Sequence, residues 1–522
     1  MFAGALSASA QVERVLPRKG ASSLAGTDFV ISFMQNEILE FGIDPRLQLF
    51  ISSQFDAVVT IDYPLFGPQI RRIAAGTVYI EDVSPYHVVN GSQIAQHKAI
   101  FVRSDVPIVV YALNTLAAST DSYTAIPIKH LGTEYLTVSR PNDRYPINPD
   151  PDDINPLDTM IRSSQFMVVA PYDNTNLEIV PTYRTERGSP ANTVINVTLQ
   201  RGQCYVVRSA QTRIGTGDLS GSSIRSNVPV AVLTGNVRAS IPTDSASSKD
   251  HLIEMLPPIP KWGKTYATTP FAIVYGGDVV RVMSADTNTD IEIITPTDTI
   301  YRYLANAGEW SDIRLSEPAL YRSAKPFFVM QFMPSRQSSG SLNYDPAMVV
   351  VPPIEQYVEG ALLQFPLLEI QDALGLYQKF YHFVNIVAEA VSVSSLRVNS
   401  VLVKDIVPTF TTQRIPGTTL HWAQVPLNPG SYTITADSGV FSGVMYGTSN
   451  ADSYANLFGV AYDPVPRDDR SPPAYSLAVD CGNVIGTVTD IGRDTVLLTE
   501  ATVQTQRTYN YRWSVSDPID SV

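Results

Sequence analysis

The sequence contains only two cysteines in 522 residues, Cys204 and Cys481, and they lie in different segments. No C-x-x-C pair and no Cys/His spacing of a zinc site is present, which excludes the common structural zinc modules. Cys204 lies in the strand-like run "GQCYVV", so we expect a buried free thiol there. A chain of this length can build its cores without a disulfide framework.

Basic residues are also in the minority, with 37 Lys and Arg against 50 Asp and Glu and a net charge of −13. A general nucleic-acid binder needs a cationic surface that neutralises phosphates, so this balance argues against a nucleic-acid partner. It argues equally against docking on anionic lipid. An acidic surface of this kind mainly supports solubility.

Long apolar runs are missing as well. No stretch approaches the roughly 18 consecutive apolar residues of a membrane helix, so we expect no membrane insertion. The opening "MFAGALSASAQ" has an Ala-Ser-Ala site but lacks the basic part and most of the apolar part of a signal peptide. We interpret residues 1–11 as a signal-peptide remnant and expect a secreted or cell-surface protein.

No catalytic signature is recognisable. The G-x-S-x-G elbow of hydrolases is absent, the six histidines show no H-x-x-x-H spacing, and "GTGDLSG" at 215–221 lacks the βαβ surroundings of a dinucleotide site. We therefore expect a non-enzymatic protein without a cofactor. A carbohydrate-active enzyme, which needs two carboxylates about 5–10 Å apart, is the less favoured alternative.

Short apolar runs bounded by turn residues are abundant. Runs such as "FMVVAPY" and "IEIITPT", with 38 Pro and 30 Gly as punctuation, are typical of β-strands. The one helical pattern, at 357–380, is interrupted by Pro366. These features predict an all-β protein.

One motif recurs along the chain. "RSDVPIVVYAL" at 103–113 returns as "RSNVPVAVLTG" at 225–235 and as "RSAKPFFVMQF" at 322–332. We interpret Arg-Ser-x-x-Pro as the start of the last strand in each repeat, because proline suits a position where its missing N–H breaks no ladder bond. The residues that carry the motif are Arg103, Pro107, Arg225, Pro229, Arg322 and Pro326.

Asn-Thr turns upstream and an aspartate downstream run in step with this motif. Together they predict four tandem four-stranded antiparallel units within a domain at 12–465. The predicted units are about 28–136, 162–268, 269–360 and 378–463. We favour packed β-sandwich-like repeats, with a propeller-like ring as the alternative. A linker at 466–476 precedes residues 477–522, which look like the start of an Ig-like β-sandwich.

The segment "DHLIEMLPPIPKWGKTY" at 250–266 resembles the N-terminal domain of the IgGFc-binding protein family. The similar parts are Asp-His-Leu, Glu-x-Leu-Pro-Pro and Trp-Gly-Lys-x-Tyr. "GTDFVISFMQN" at 26–36 resembles that family's opening, so the resemblance covers about residues 26–465. Animal members are cysteine-rich, so this chain is more similar to a bacterial relative. The resemblance implies an extracellular, non-enzymatic binding or adhesive module.

The insertion "SPYHVVNGSQIAQH" at 84–97 is a candidate contact surface. Function tends to lie on variable loops held by a rigid scaffold, and a polar-aromatic mixture suits contact with a protein or a glycan. The residues that we single out are Tyr86, His87 and Asn90. A plain surface loop is the alternative. A second insertion spans about 208–224.

The loop "NPDPDDINPLD" at 148–158 gathers four carboxylates. Hard cations such as Ca²⁺ prefer several carboxylate oxygens on a flexible loop, but the EF-hand spacing is absent and a solvated linker is the favoured interpretation. If Ca²⁺ binds, we expect it here. The carboxylates are Asp150, Asp152, Asp153 and Asp158.

In "DHLIE", Asp250, His251 and Glu254 raise the question of a metal. Residues three apart face one side of a helix but opposite sides of a strand, so a structural role is favoured, with Trp262 as a packing anchor. The leading hypothesis is thus an extracellular binding or adhesion module of a larger protein, with a protein or glycan partner. The alternative is a structural spacer or assembly subunit without a ligand.

Overall fold

The computed structural model describes residues 22, 24–37, 44–116, 118–144, 161–211, 214–243, 248–272, 276–341, 343–365, 379–450, 452–462, 474–480 and 483–489. The chain divides into two compact units. One comprises residues 19–463, and the other comprises residues 1–18 together with 464–522.

Four β-sandwiches follow one another in the compact unit 19–463. The first contains β1 (Gly26–Ile31), β2 (Phe33–Met34), β3 (Arg46–Ser52), β4 (Ala57–Tyr63), β5 (Gly67–Ile73), β6 (Val78–Val83), β7 (Val88–Val89), β8 (Ala95–His97), β9 (Ile100–Leu116) and β10 (Ser119–Thr124). The second contains β11 (Gly132–Leu136), β12 (Asp143–Arg144), β13 (Ile161–Arg162), β14 (Ser164–Val169), β15 (Thr175–Val180), β16 (Ile195–Leu199), β17 (Gln203–Arg208), β18 (Ser223–Ala239) and β19 (Asp250–Met255).

The third and fourth sandwiches are built in the same way. The third contains β20 (Thr265–Thr268), β21 (Asp278–Ser284), β22 (Thr289–Ile294), β23 (Thr299–Leu304), β24 (Trp310–Leu315), β25 (Ala319–Arg322), β26 (Phe327–Met333), the short helix α1 (Arg336–Ser339) and β27 (Ala347–Val350). The fourth contains β28 (Gly360–Phe365), β29 (Tyr381–Ala388), β30 (Arg397–Val398), β31 (Val401–Leu402), α2 (Val403–Ile406), β32 (His421–Leu427), β33 (Gly430–Thr435), β34 (Phe441–Thr448) and β35 (Ser453–Phe458).

Each sandwich has two antiparallel sheets, and in each sheet four strands follow one common order. Sheet 1, which holds the first strand of the sandwich, runs β1-β9-β4-β5, β11-β18-β15-β16, β20-β25-β22-β23 and β28-β33-β30-β31. Sheet 2, which holds the closing strand, runs β6-β3-β9-β10, β17-β14-β18-β19, β24-β21-β26-β27 and β32-β29-β34-β35. The prediction of all-β, sandwich-like repeats is confirmed, and each repeat holds two four-stranded sheets.

The Arg-Ser-x-x-Pro motif lies where a strand passes from sheet 1 to sheet 2. Strands β9 and β18 are each 17 residues long and belong to both sheets. In β9 the pairing with β1 shifts register between Arg103 and Ile108, and residues 105–107 have no strand partner. Pro107 therefore breaks no ladder bond although it stands inside a strand. In these two sandwiches the motif marks this crossing, not the strand start that we predicted; in the third, Pro326 does precede the new strand β26.

A tyrosine hydroxyl ties the first strand of a sandwich to this crossing. In the third sandwich the Gly263 N–H donates to Tyr266 Oη at 2.8 Å, and the hydroxyl donates to the Phe327 carbonyl at 2.6 Å. Tyr135 makes the two equivalent bonds in the second sandwich. In both sandwiches the tyrosine lies three residues after the glycine, and its one hydroxyl satisfies a backbone donor and a backbone acceptor.

Burial separates the two kinds of sheet. Along β4 of sheet 1, buried and partly exposed residues alternate, as expected for a sheet with one solvated face. Every residue of β14 in sheet 2 is buried, so that strand is covered on both faces. One continuous hydrophobic cluster draws residues from all four sandwiches. The four sandwiches are therefore joined by a shared hydrophobic cluster and are not independent domains.

The four sandwiches close into a ring. The closing strands β10, β19, β27 and β35 contact one another in cyclic order, with β35 returning to β10. A seam joins the two ends of this ring: Ser22 Oγ donates to the Val460 carbonyl at 3.2 Å, and the Ser22 N–H donates to Gly360 at 3.1 Å. Sandwich repeats and a ring, considered as alternatives from the sequence, are both present.

Two details differ from the sequence-based expectations. The helical pattern at 357–380 contains strand β28, so the prediction of a helix is wrong for Gly360–Phe365. Pairing with β33 outweighs the helical preference of these residues. Residues 366–378 lie outside the described part. Short 3-10 turns at Ile128–His130, Ile259–Lys261 and Ile354–Gln356 connect the sandwiches. The later sandwiches begin directly after these turns, earlier than the predicted unit starts.

In the other compact unit, β36 (Ala474–Asp480) and β37 (Asn483–Thr489) form an antiparallel pair. The Ig-like continuation at 477–522 stays a prediction. Among the described residues, none of the helices has the length and apolar character needed to cross a membrane.

Candidate functional site

The first insertion, residues 84–97, forms a strap between the first two sandwiches. Ser84 Oγ accepts from the Tyr86 N–H at 3.3 Å, and β7 then pairs in parallel with β2. Strand β8 pairs with β17 and so adds a fifth strand to sheet 2 of the second sandwich. Gln93 Nε2 donates to Ser189 Oγ of that sandwich at 2.9 Å. The strap therefore links the first sandwich to the second, and strand pairing holds its backbone in place.

His87 belongs to this strap and is fully buried. Its Nδ1 lies 2.9 Å from the Lys98 carbonyl oxygen, and burial lowers the pKa of the ring. The outer side of the strap is left to Tyr86 and Asn90. Tyr86 is 43% exposed, and Lys98 Nζ lies 4.9 Å from its ring centroid. A partner contact through Tyr86 and Asn90 stays a prediction.

The second insertion, about 208–224, forms a clasp with the third sandwich. A Cβ placed on Gly221 would lie 2.4 Å from the Gly308 carbonyl oxygen, so the two backbones touch. Asp218 Oδ2 lies 3.0 Å from an Arg281 guanidinium nitrogen. The buried Arg281 also pairs with Asp312 at 2.7 Å, which leaves its charge compensated. This insertion is also a joint.

The motif arginines pair across sheet 1. Arg103 Nε lies 2.9 Å from Asp28 Oδ1, and Arg225 Nε lies 3.7 Å from Glu134 Oε1. In the third sandwich Arg322 pairs with Glu292. These arginines are exposed, so such pairs contribute little to stability.

The "DHLIE" residues lie in β19 and are fully buried. His251 Nδ1 lies 3.1 Å from the Val237 carbonyl oxygen, and burial lowers the pKa of His251 to about 4. Glu254 accepts from the N–H of Met255 at 3.0 Å and of Val350 at 3.3 Å. His251 and Glu254, three apart on a strand, project to opposite faces, which favours a structural role.

Trp262 follows in the connection to the third sandwich. Its Nε1 donates to the Pro257 carbonyl at 3.2 Å, and its ring centroid lies 5.0 Å from that of Phe328. The side chain is buried. These contacts are those of a packing anchor.

Carboxyl groups gather where the four closing strands meet. Asp250 accepts from the Thr120 N–H of the first sandwich, and from the Ser453 N–H of the fourth at 3.2 Å. Asp121 Oδ2 accepts from the Ile253 N–H of the second at 3.0 Å. Burial, followed by the charges of neighbouring carboxylates, raises the pKa of Asp250 well above its ordinary value. Asp121 and Asp250 thus accept hydrogen bonds from backbone N–H groups of neighbouring sandwiches, whose closing strands do not pair with one another.

The predicted cation loop at 148–158 lies outside the described residues. The structure therefore says nothing about Asp150, Asp152, Asp153 and Asp158, and the Ca²⁺ site stays a prediction. In the part of the chain that is described, no group of three His, Cys, Asp or Glu side chains is arranged to hold a metal ion. Cys204 is a buried free thiol, as predicted.

A groove on sheet 1 of the third sandwich escaped the sequence analysis. It has a volume of about 540 Å³ and is open to solvent. Tyr301 and Tyr303 of β23 line it at 69% and 58% exposure. Their spacing in "TIYRYL" was the available signal, because residues two apart on a strand share a face. The inward neighbours Ile291 and Ile293 of β22 are buried, which places this face outside.

Comparison with known proteins gives a consistent result. A family model described as IgGFc binding protein matches residues 121–447. The human (Homo sapiens) IgGFc-binding protein is 26% identical over 442 residues, which is 82% of this chain and 7% of that protein. This chain thus corresponds to a small fraction of the relative's length.

Among solved structures, a cryo-EM structure of the mycobacterial arabinofuranosyltransferase AftD (mutant R1389S) matches with a TM-score of 0.12 and 8% identity. The match covers 86% of this chain and 33% of that chain. A similarity of that size carries no argument about fold or function.

Proposed function

Because the chain belongs to the IgGFc-binding protein family, we propose that it is an extracellular, non-enzymatic module that binds a protein partner. The observation that carries this proposal is the strap 84–97, which exposes Tyr86 and Ile94 while strand pairing and hydrogen bonds hold its backbone. The alternative of a spacer without a ligand is an outcome of the test below.

The strap suits a protein contact for two reasons. Tyr86 and Ile94 are large side chains left exposed, and Tyr is among the residues enriched at energetic centres of interfaces. The strap is held by β8, by the buried His87 and by the Gln93 contact, so little backbone entropy is lost when a partner docks. Asn90 and Lys98 supply the polar rim.

The first partner to try comes from the relative's printed name, IgG Fc. Binding of the 522-residue chain to immobilised IgG Fc and to purified mucin glycoproteins is measured by biolayer interferometry, with and without Ca²⁺. We expect binding to at least one of these proteins, weakened about tenfold or more by Tyr86→Ser combined with Ile94→Ser.

Val391→Ser is the matched control, since Val391 of the fourth sandwich is also exposed. It should leave the affinity unchanged. Unchanged binding in the double variant would remove the strap from the proposal. Silence with every protein on the panel would favour the spacer.

A further inference from the structure

The groove on the third sandwich presents two tyrosines side by side on one outward face. In the register of β22 with β23, Tyr303 lies opposite Asp290 and Tyr301 lies opposite Glu292. Two residues along a strand separate the tyrosines by roughly 7 Å. An apolar platform of two adjacent rings is thus exposed in a concave site.

Hydrogen bonds fix the orientation of both rings. Tyr301 Oη donates to Glu292 Oε1 at 3.2 Å, and Tyr303 Oη donates to Asn288 Oδ1 at 2.6 Å. Glu292 is held in turn by Arg322 on β25. The row Tyr301–Glu292–Arg322 therefore crosses three strands. Side chains fixed before binding lose little entropy when a ligand arrives.

The outward face of the groove carries two carboxylates, Asp290 and Glu292, and the guanidinium group of Arg322, which pairs with Glu292. Arg302 stands between the two tyrosines on β23 and therefore projects to the other face, where its Nε donates to Ser311 Oγ of β24 at 3.1 Å. Carboxylates only accept hydrogen bonds and guanidinium groups only donate them. A ligand that satisfies both must carry groups that donate and accept, and the additional negative charge of Asp290 disfavours an anionic ligand. Hydroxyl groups meet both conditions.

From these features we infer that the groove binds a neutral saccharide. A pyranose ring presents C–H groups on its face and hydroxyls on its rim, so its face would pack on the tyrosines while its hydroxyls reach the carboxylates and the Arg322 guanidinium group. The volume of about 540 Å³ lies in the range of small-ligand sites. A protein partner would need a much larger surface, of about 800 Å² on each side.

The test uses the 522-residue chain on an array of neutral oligosaccharides and their sialylated and sulfated counterparts. We expect binding to neutral members, and titration of the strongest neutral hit should show a loss of about tenfold or more in the double variant Tyr301→Ser with Tyr303→Ser. Tyr301→Phe keeps the ring and should retain most of the affinity.

Tyr381→Ser is the control, since Tyr381 is exposed on the fourth sandwich. It should bind as the unchanged chain does, and thermal unfolding should show that all variants fold. Silence across the array, hits confined to charged saccharides, or equal affinity in the double variant would each overturn the inference. Loss of IgG Fc binding in the Tyr301/Tyr303 variant without any saccharide binding would assign the groove to a protein. The Tyr86/Ile94 variant tests the proposed function separately.

Discussion

Single hydroxyl groups hold the points where a strand leaves one sheet for the other. Tyr266 accepts from one backbone N–H and donates to one carbonyl, and both of those groups are buried at the crossing. In the first sandwich the equivalent position is Phe29, which is buried and has no hydroxyl. The hydroxyl therefore contributes to stability only in a sandwich where it is the hydrogen-bond partner of a buried N–H and a buried carbonyl.

Tyr266→Phe should lower the free energy of unfolding by about 1–3 kcal/mol, because it leaves a buried donor and a buried acceptor without their partner. Urea denaturation measures the change. Tyr381→Phe, at an exposed position, is the control and should alter stability by less than about 0.5 kcal/mol. Equal stability of the two variants would show that water or a rearranged backbone replaces the bond.

At the scale of elements, the two insertions are the joints of the ring. The strap at 84–97 adds a strand to the second sandwich, and the clasp at 208–224 meets the third. Each fixes its sandwich to the next one in the chain.

Gly221→Ala should destabilise the clasp strongly. Gly221 has a φ of +82°, and its new Cβ would meet the Gly308 carbonyl oxygen. We expect a loss of about 3 kcal/mol or more, measured by urea denaturation. Gly215→Ala is the matched control, since Gly215 has a φ of +73° with open space around it. It should cost about 1–2 kcal/mol from backbone strain alone. Equal losses of unfolding free energy in the two variants would mean that the backbones at Gly221 and Gly308 can move apart without an additional energetic cost.

Much of the strand and repeat organisation could be predicted from the sequence. Periodicity and the copied Arg-Ser-x-x-Pro motif identified strands and repeats, because those features are local and written several times. The pairing of β8 with β17 could not be predicted, since its residues 95–97 and 203–205 are distant in sequence and carry no pattern that specifies each other. The burial of His87, whose ring centroid lies 5.4 Å from that of Tyr63 in β4, depends on a similarly non-local contact. Tyr301 and Tyr303 were within reach, because strand alternation alone places them on one face.

At the scale of the whole molecule, closure depends on carboxyl groups. The closing strands meet without shared ladders, and side chains such as Asp121 and Asp250 supply acceptors for the neighbouring backbone. Burial raises the pKa of Asp345 to about 7. The groups that face it include Asp250, Arg238 and Arg336, of which the two arginines lower that pKa.

The folded pKa of Asp345 exceeds its unfolded value of about 3.9, so the protonated carboxyl contributes stability that is present below about pH 4 and lost as the pH rises through about 7. The melting temperature should therefore fall from pH 5 to pH 8. Asp345→Asn should reduce that fall by a few degrees in thermal scans. Asp82→Asn, at an exposed position, should leave the fall in melting temperature unchanged. An identical fall in Asp345→Asn would exclude this carboxyl as a source.

Asp250→Ala tests whether the ring unfolds as one body. Because Asp250 joins the first, second and fourth sandwiches, its removal should cost roughly 3 kcal/mol and speed hydrogen exchange in β10, β19 and β35 together. Asp250→Asn keeps one acceptor oxygen and should cost less. Faster exchange confined to β19 would show that the sandwiches open independently.

The seam at Ser22 and Val460 gives the ring an unusual mechanical property. The chain enters and leaves the compact unit at neighbouring points, so tension applied through residues 22 and 460 pulls on the seam and not across the sandwiches. The hydrogen bonds of the seam, which include the Val460 N–H to Ser22 Oγ at 3.2 Å, would then bear the load first. We expect the four-sandwich body to keep its shape until the seam opens, so the proposed contact surfaces would stay in place while the flanking chain is under force.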